Sequence, residues 1–485
     1  MKYLHLVFCI FLFIHAAAQQ QASVSLKECF SLAHQNNTSI KQAGASLKAR
    51  QYNLEAERQS YLPKIDLLAN YNYLSKPLEI NLETVRGGVI EGTSQQNVQL
   101  ASSVIKEITG SEPSQAFKDA VYSTSKNIIG TFYPNYNPPL SQQQYFTSSL
   151  GVRQPLYLGG KLNTARKLAE AELNSGKENL SVVSEELDFA IALQYMRILF
   201  LNSMLRNQQQ VVTAANKNLS YAESLVKNEI LPPYQKSWMK VAVLQSKTMQ
   251  QNLQIDKKNA MLELYKLLGI SNDTIIVIND TLPYGGSFVV DNPTEGFYKN
   301  NAGFRFLESK TAYAQTSVRV SKSLALPNVF AVGNINLYQK DLPVTVPPWL
   351  LGVEMVWNIF NGTQTQKRIK ASKELVEEAR LAEENTKQVL SVQAQVVMNK
   401  LEGVRQQVAT LDSARTDARI TTHMVEQRME NMLSSPKDVN EAMLAEAEID
   451  KLYYTSVLAY YLALAEYFHV TGEAQKIAQI MDSGE

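Results

Sequence analysis

Few side chains in this chain are equipped for covalent chemistry, and they stand far apart. Beyond the first twenty residues there are histidines at His34, His423 and His469 and one cysteine, Cys29. Each histidine lies alone on a helical-looking segment, and Cys29 sits in "LKECFSLA", a helical context that suits a buried, inert thiol. No C-x-x-C, H-E-x-x-H or G-x-S-x-G pattern occurs, so neither a zinc site nor an activated nucleophile is expected. The stretch closest in outline to a phosphate loop is "RQPLYLGGK" at 153–161, where an apolar strand meets two glycines and then a helix. It has an echo, "VWNIFNGTQ" at 356–364, which again ends aromatic-x-Gly before a charged helical segment. Tyr157, Gly159 and Gly160 in the first copy, and Phe360 and Gly362 in the second, therefore read as strand-to-helix corners. No catalytic residue, cofactor or metal is expected, and the question becomes why one chain makes this corner twice.

The elements around the corners repeat as well. "NNTSIKQAG" from residue 36 and "NNAGFRFLE" from residue 300 start two segments at an offset of 264, and Leu62-Pro63 falls on Leu326-Pro327. Downstream the offset is 203: Tyr157 aligns with Phe360, Pro233 with Pro436 and Gly269 with Gly472. The difference locates one long insertion between residues 75 and 145 of the first copy. Each copy reads helix, Leu-Pro, strand, loop, strand, Gly corner, very long helix, proline turn, long helix, Gly.

The predicted strands alternate with period two. Ile65, Leu67, Tyr71 and Tyr73 oppose Asp66, Asn70 and Asn72, while Phe146, Leu150 and Val152 oppose Thr147, Ser149 and Arg153. In the second copy Val329, Ala331, Ile335 and Leu337 oppose Asn334 and Asn336, and Leu351, Val353, Met355, Trp357 and Ile359 oppose Glu354 and Asn358. Such alternation suits a half-buried sheet in water or tilted transmembrane strands. In a bilayer, four strands leave two open edges, so closure there requires further copies of the chain.

From Lys161 to about residue 228 there is no proline and Gly176 is the one glycine, which predicts a helix of about 100 Å at ~1.5 Å per residue. Its counterpart runs from 364 to about 431. Leu173, Leu180 and Leu187 recur every seven residues, and Leu205, Val212, Ala215, Leu219, Ala222 and Val226 continue a four-three spacing, so partner helices are expected.

Composition adds limits. The 485 residues are 45% hydrophobic and 19% charged with a formal net charge of +1, which offers no basic excess for nucleic acid. Lys2, the apolar run 3–14 and "HAAAQ" form a signal-peptide pattern ending near Ala18. No later segment is a helical membrane span. The expected organisation is a signal peptide at 1–18, a first-repeat helix at 19–62, a β-hairpin at 63–158 and a long helical hairpin at 159–270. A connector at 271–296 leads to the second-repeat helix at 297–326, hairpin at 327–361, helical hairpin at 362–473 and a tail at 474–485. The insertion at 76–144, rich in Ser, Gln, Asn and Gly, is expected to be an extracellular loop without regular structure.

In its tandem repeat, its "SLKECFSLAHQNN" opening, its Leu-Pro-strand step and its Tyr/Phe-x-Gly corners, the mature chain resembles the TolC family of outer-membrane efflux proteins. The resemblance implies a mainly α protein with transmembrane β structure: a homotrimer with a twelve-stranded barrel in outer-membrane lipid and a periplasmic α-barrel with coiled-coil packing. It implies a passive export duct of a Gram-negative bacterium, gated at its periplasmic end. The partners implied are a periplasmic adaptor and an inner-membrane pump of RND, ABC or MFS type. Family members line the periplasmic entrance with an acidic pair three residues apart, and Asp438 and Glu441 stand at that spacing here. Ser435-Pro436-Lys437-Asp438 also reads as a helix capping box. Family hairpin tips, which dock the adaptor, have Gly before an aliphatic residue. This chain has Asn228-Glu229-Ile230 and Asn431-Met432-Leu433, with no glycine, and the adjoining asparagines tolerate the left-handed conformation. A non-transporting periplasmic scaffold or surface adhesin is the alternative, and it leaves the alternating strands unexplained.

Overall fold

Two helices of 67 residues each dominate the computed structural model, which describes residues 23–139, 142–272, 276–284, 290–339 and 346–483. The signal-peptide expectation lies outside the described residues. The chain divides into a helical unit (residues to 58, 163–322 and from 362) and a strand-bearing unit (59–162 and 323–361).

The helical unit contains α1 (Leu26–Asn36), α2 (Thr38–Gln59), the long α5 (Lys161–Lys227) and α6 (Pro233–Leu268). After the connector come α7 (Ala302–Ser323), the second long helix α8 (Gln364–Glu430), α9 (Pro436–Thr471) and α10 (Lys476–Ser483). The helices persist because Ala, Leu, Glu, Lys and Gln dominate and neither long segment contains proline. On α5 the apolar stripe faces inward: Leu187, Val212, Ala215 and Ala222 of the heptad are buried, while Leu173, Leu180, Leu205, Leu219 and Val226 are partly buried. Gly176 lies on the same stripe, where a Cβ would come within 2.7 Å of the Arg50 side chain on α2. The main core joins Leu26 and Cys29 of α1, Ile191 to Met204 of α5, Leu264 and Leu268 of α6, Val397 and Val408 of α8, and Tyr453 to Phe468 of α9. Connector residues Ile276, Ile278 and Leu282 enter that core. So does Ile477 of α10, and the expected tail is thus partly a docked helix. Among the described residues no helix is long and apolar enough to cross a membrane.

The strand-bearing unit holds β1 (Lys64–Tyr73), β2 (Gln144–Tyr157), β3 (Asn328–Tyr338) and β4 (Trp349–Val356) in one antiparallel sheet of order β1-β2-β3-β4. Lys64 opposes Arg153, and Asn328 opposes Val356. The fourth strand stops at Val356, short of the expected Trp357 and Ile359, and the Trp357 ring nitrogen instead donates to Ala325 O at 3.1 Å. Outward apolar residues are strongly exposed: Leu67 66%, Tyr71 65%, Leu351 74% and Val353 70%. On the other face Arg153 lies 3.2 Å from Glu354, with its guanidinium 3.9 Å from the Phe330 ring centroid.

The insertion departs from expectation. It forms α3 (Glu83–Thr109) and α4 (Gln115–Phe132), packed on each other as an antiparallel hairpin. Gly110 closes α3 in the left-handed conformation (φ 72), and the Ser114 side chain caps α4 through Phe117 N at 3.3 Å. Ile90 and Ser94 are buried on the facing side of α3, and Tyr122 of α4 bonds Glu91. Caps and a narrow apolar strip thus override a composition that suggested disorder.

Candidate functional site

The acidic pair begins α9. Ser435 is its N-cap and Pro436 its first residue, a position where the missing N–H costs nothing. The Ser435 amide donates to Asp438 Oδ2 at 2.7 Å while the Asp438 amide donates to Ser435 Oγ at 3.3 Å. The Ser435 amide, then its hydroxyl, holds the Asp438 carboxyl below the usual aspartate range. Its capping contribution is therefore present above the ordinary aspartate pKa and fades as pH falls through the lowered one. Glu441, one turn on, is exposed and faces Lys437 Nζ at 3.5 Å. Asp438 is thus a capping residue with one oxygen left over, and Glu441 is the freer carboxylate.

The two hairpin tips are built alike. At the first, Glu229 N bonds Val226 O and Ile230 N bonds Leu225 O; at the second, Met432 N bonds Met429 O and Leu433 N bonds Arg428 O. These paired bonds satisfy the last carbonyls of α5 and α8 and need one left-handed residue. That residue is Glu229 (φ 59) and Met432 (φ 60), at the position of the missing glycine, and not the adjoining asparagine. Asn431 stays at φ −89, its side chain donating to Gln427 O at 2.9 Å. Ile230, Met432 and Leu433 are exposed at 52%, 67% and 67%. A Cβ in the left-handed region costs about 1 kcal/mol or more. Met432→Gly is therefore expected to raise stability by about 1 kcal/mol, read as a later thermal unfolding midpoint.

At the corners, Gly159 (φ 61) and Gly160 (φ 77) carry the chain out of β2. A Cβ at Gly159 would lie 2.4 Å from Leu326 Cβ, so this position needs glycine for space as well as for φ. In the second corner Gly362 (φ 64) and Thr363 (φ 70) take the same conformation. Tyr157 and Phe360 are both exposed, at 50% and 83%.

Two arrangements were not foreseen. The aligned Asn-Asn pairs and terminal glycines touch one another. Asn37 Nδ2 donates to Leu267 O at 2.7 Å, and Gly269 (φ 68) lies so close that a Cβ would be 2.7 Å from the Asn36 carbonyl carbon. In the second copy Asn301 Nδ2 donates to His469 O at 3.2 Å, and a Cβ on Gly472 (φ 76) would be 2.3 Å from Asn300. The aligned motifs were visible in sequence; their contact was not. The second arrangement lies between α5, α8 and α9, around a cavity of about 250 Å³ lined by Asn207, Arg419, His423, Glu446 and Asp450 among others. There buried Asp450 accepts from Arg415 Nε at 2.5 Å and lies 3.5 Å from Arg419. The histidines are less isolated than their spacing implied. His34 Nε2 is 2.7 Å from buried Asp188, whose carboxyl is pushed up by burial, and His469 stacks on Phe189 with ring centroids 4.4 Å apart.

The fold is that of bacterial outer-membrane channel proteins. The outer membrane protein VceC of Vibrio cholerae matches with a TM-score of 0.67 at 15% identity, over 92% of this chain and 96% of its own. The CmeC outer membrane channel of Campylobacter jejuni matches at 0.70 and 12%, over 97% and 94%. The MtrE outer membrane channel of Neisseria gonorrhoeae matches at 0.67 and 13%, over 93% and 89%. No protein-family model and no curated protein sequence matches the chain.

Proposed function

We propose that three copies of this chain form an outer-membrane channel that acts as a passive duct for export, reaching from a periplasmic entrance to the exterior. The observation that carries the reading is the sheet. Its β1 and β4 edges are open, and its outward face exposes apolar side chains along both edge strands. A bilayer accepts that face but not those edges, and closing them takes other copies.

The helices support the same conclusion. On α6, Tyr234, Trp238, Val241, Ile255 and Leu262 are exposed, and on α8 so are Val389, Val392, Val396, Ile420 and Met424. Both sets follow a four-three spacing, the pattern of a coiled-coil seam awaiting its partner. An internal duplication is supported by matching lengths: α5 and α8 have 67 residues each, α6 and α9 36 each, and α2 and α7 22 each.

In this reading the paired tips, Glu229-Ile230 and Met432-Leu433, dock a periplasmic adaptor that links the duct to an inner-membrane pump. Asp438 and Glu441 line the entrance, where three copies give a ring of carboxylates that favours cations. Purified protein in planar bilayers is expected to form narrow, cation-selective channels. Glu441→Gln removes charge without touching the helix cap and is expected to lower cation selectivity, and the Asp438→Ala/Glu441→Ala pair to lower it further. Unchanged reversal potentials in both variants would defeat the acidic entrance, and monomeric behaviour in water without detergent would defeat the channel itself.

A further inference from the structure

We propose that the α3–α4 hairpin is an assembly element: in the closed channel each hairpin packs its outward apolar face on the hairpins of the neighbouring copies. The inference rests on the channel reading above.

The face is apolar but for one carboxylate, Glu107, one turn beyond Val104. On α3 it runs through Val85 and Val89 to Leu100 and Val104, with Gly92 and Gln96 between them, and the four apolar residues are 61%, 36%, 57% and 53% exposed. On α4, Phe117, Ile128 and Phe132 are 36%, 53% and 80% exposed, with Val121 and Thr124 between them, and no residue of α4 is buried. This side flanks the strip that joins the two helices. A helix turned permanently to water normally carries its charges there. Here most of the hairpin's charges lie off it, Lys106 and Lys118 paired with Glu112 and Lys126 with Glu91.

The base of the hairpin is built as an extension of the β1–β2 ladder. Beyond the Tyr73–Gln144 pair, Leu74 N bonds Gln143 O, Ile80 N bonds Pro138 O and Leu82 N bonds Asn137 Oδ1. Arg86 Nε then reaches Tyr133 O at 2.5 Å, tying the start of α3 to the end of α4. The hairpin is thus fixed to β1, the edge strand that must meet a neighbour's β4 for the barrel to close. Closure brings identical apolar faces together at an effective concentration in the millimolar range or above, without further affinity being needed. A lipid surface is a poorer match. Membrane-lying helices carry a basic polar face, whereas residues 83–132 hold four Lys or Arg against five Asp or Glu.

Single cysteines at Leu100, Val104 and Ile128 test the proposal in the full-length protein purified in detergent, treated with a short bismaleimide. Cys29 is buried and leaves the introduced thiols to react. A band at twice the chain mass is expected for these positions, one thiol per chain joining no more than two chains, and weak or no cross-linking for Gln95→Cys on the polar side. Detergent-corrected sedimentation on the same samples gives the assembly mass. A trimer whose stripe cysteines cross-link no better than Gln95→Cys overturns the hairpin proposal alone. A monomer overturns the channel reading on which it rests. As a second readout, Leu100→Asp/Val104→Asp is expected to leave a trimer in which the remaining Ile128→Cys link is lost; retention of that link also overturns the proposal.

Discussion

Gly472→Ala is expected to be among the most damaging single substitutions in this chain, and Gly269→Ala to follow it. Two costs add at each position. The backbone is left-handed, at φ 76 and φ 68, a region that penalises any Cβ by about 1–2 kcal/mol. The new carbon also meets backbone, not a yielding side chain: the nearest atoms are 2.3 Å away at Gly472 and 2.7 Å at Gly269. Main chain held at both ends can retreat only by moving the helix, and overpacking of this kind costs a further ~1–3 kcal/mol or more. The comparison that separates the terms is Gly296→Ala, at φ 83 with nothing within 4 Å of its Cβ. That variant is expected to lose only about 1–2 kcal/mol. Thermal unfolding in detergent reads all three. Equal midpoints for Gly472→Ala and Gly296→Ala would show that the close approach to Asn300 contributes nothing.

These glycines show where the sequence was legible and where it was not. Helix ends could be read because capping chemistry is local: Pro233 and Pro436 start α6 and α9, and Gly269 and Gly472 end them. Strand faces could be read from alternation. The aligned Asn-Asn pairs and glycines were equally visible, yet their contact joins residues more than 160 positions apart (Asn301 to His469), a separation no local pattern encodes. The tips illustrate a finer limit. Asparagine tolerates the left-handed region best among non-glycine residues, so propensity pointed to Asn228 and Asn431. Hydrogen-bond closure chose Glu229 and Met432 instead, because the paired bonds from Glu229 and Ile230, and from Met432 and Leu433, set the position of the turn. The α3–α4 hairpin escaped notice for another reason. Ser, Gly and Gln dilute its apolar periodicity, and its inner strip is only a few residues wide.

The proposed acidic entrance rests on resemblance alone, and the side chain on which it leans most has a local occupation. Asp438 bonds the amide of its own N-cap, so removing it disturbs a helix end as well as a charge. That is why Glu441→Gln, which leaves the Ser435 cap alone, is the sharper probe of selectivity.

Asp450→Ala is the second large expected effect. Its carboxylate is 4% exposed and is the convergence point of Arg415 and Arg419, at 2.5 and 3.5 Å. Arg415 is itself largely covered, lying over the Tyr453 ring at 4.6 Å and donating to the Tyr454 hydroxyl at 3.0 Å. Removing the carboxylate strands a guanidinium that cannot swing fully into water, and breaking one side of such a pair typically costs about 3–5 kcal/mol. Taking both charges away avoids most of that penalty, since the cost lies in the uncompensated charge. Arg415→Met/Asp450→Leu is therefore expected to unfold at a markedly higher temperature than Asp450→Ala. The pair joins α8 to α9 part-way between tip and core, so its loss is expected to loosen the hairpin locally. Hydrogen exchange over residues 410–455 should rise in Asp450→Ala and return towards the parent in the double variant. A double variant no more stable than Asp450→Ala would show that shape, not charge, holds the two helices together there.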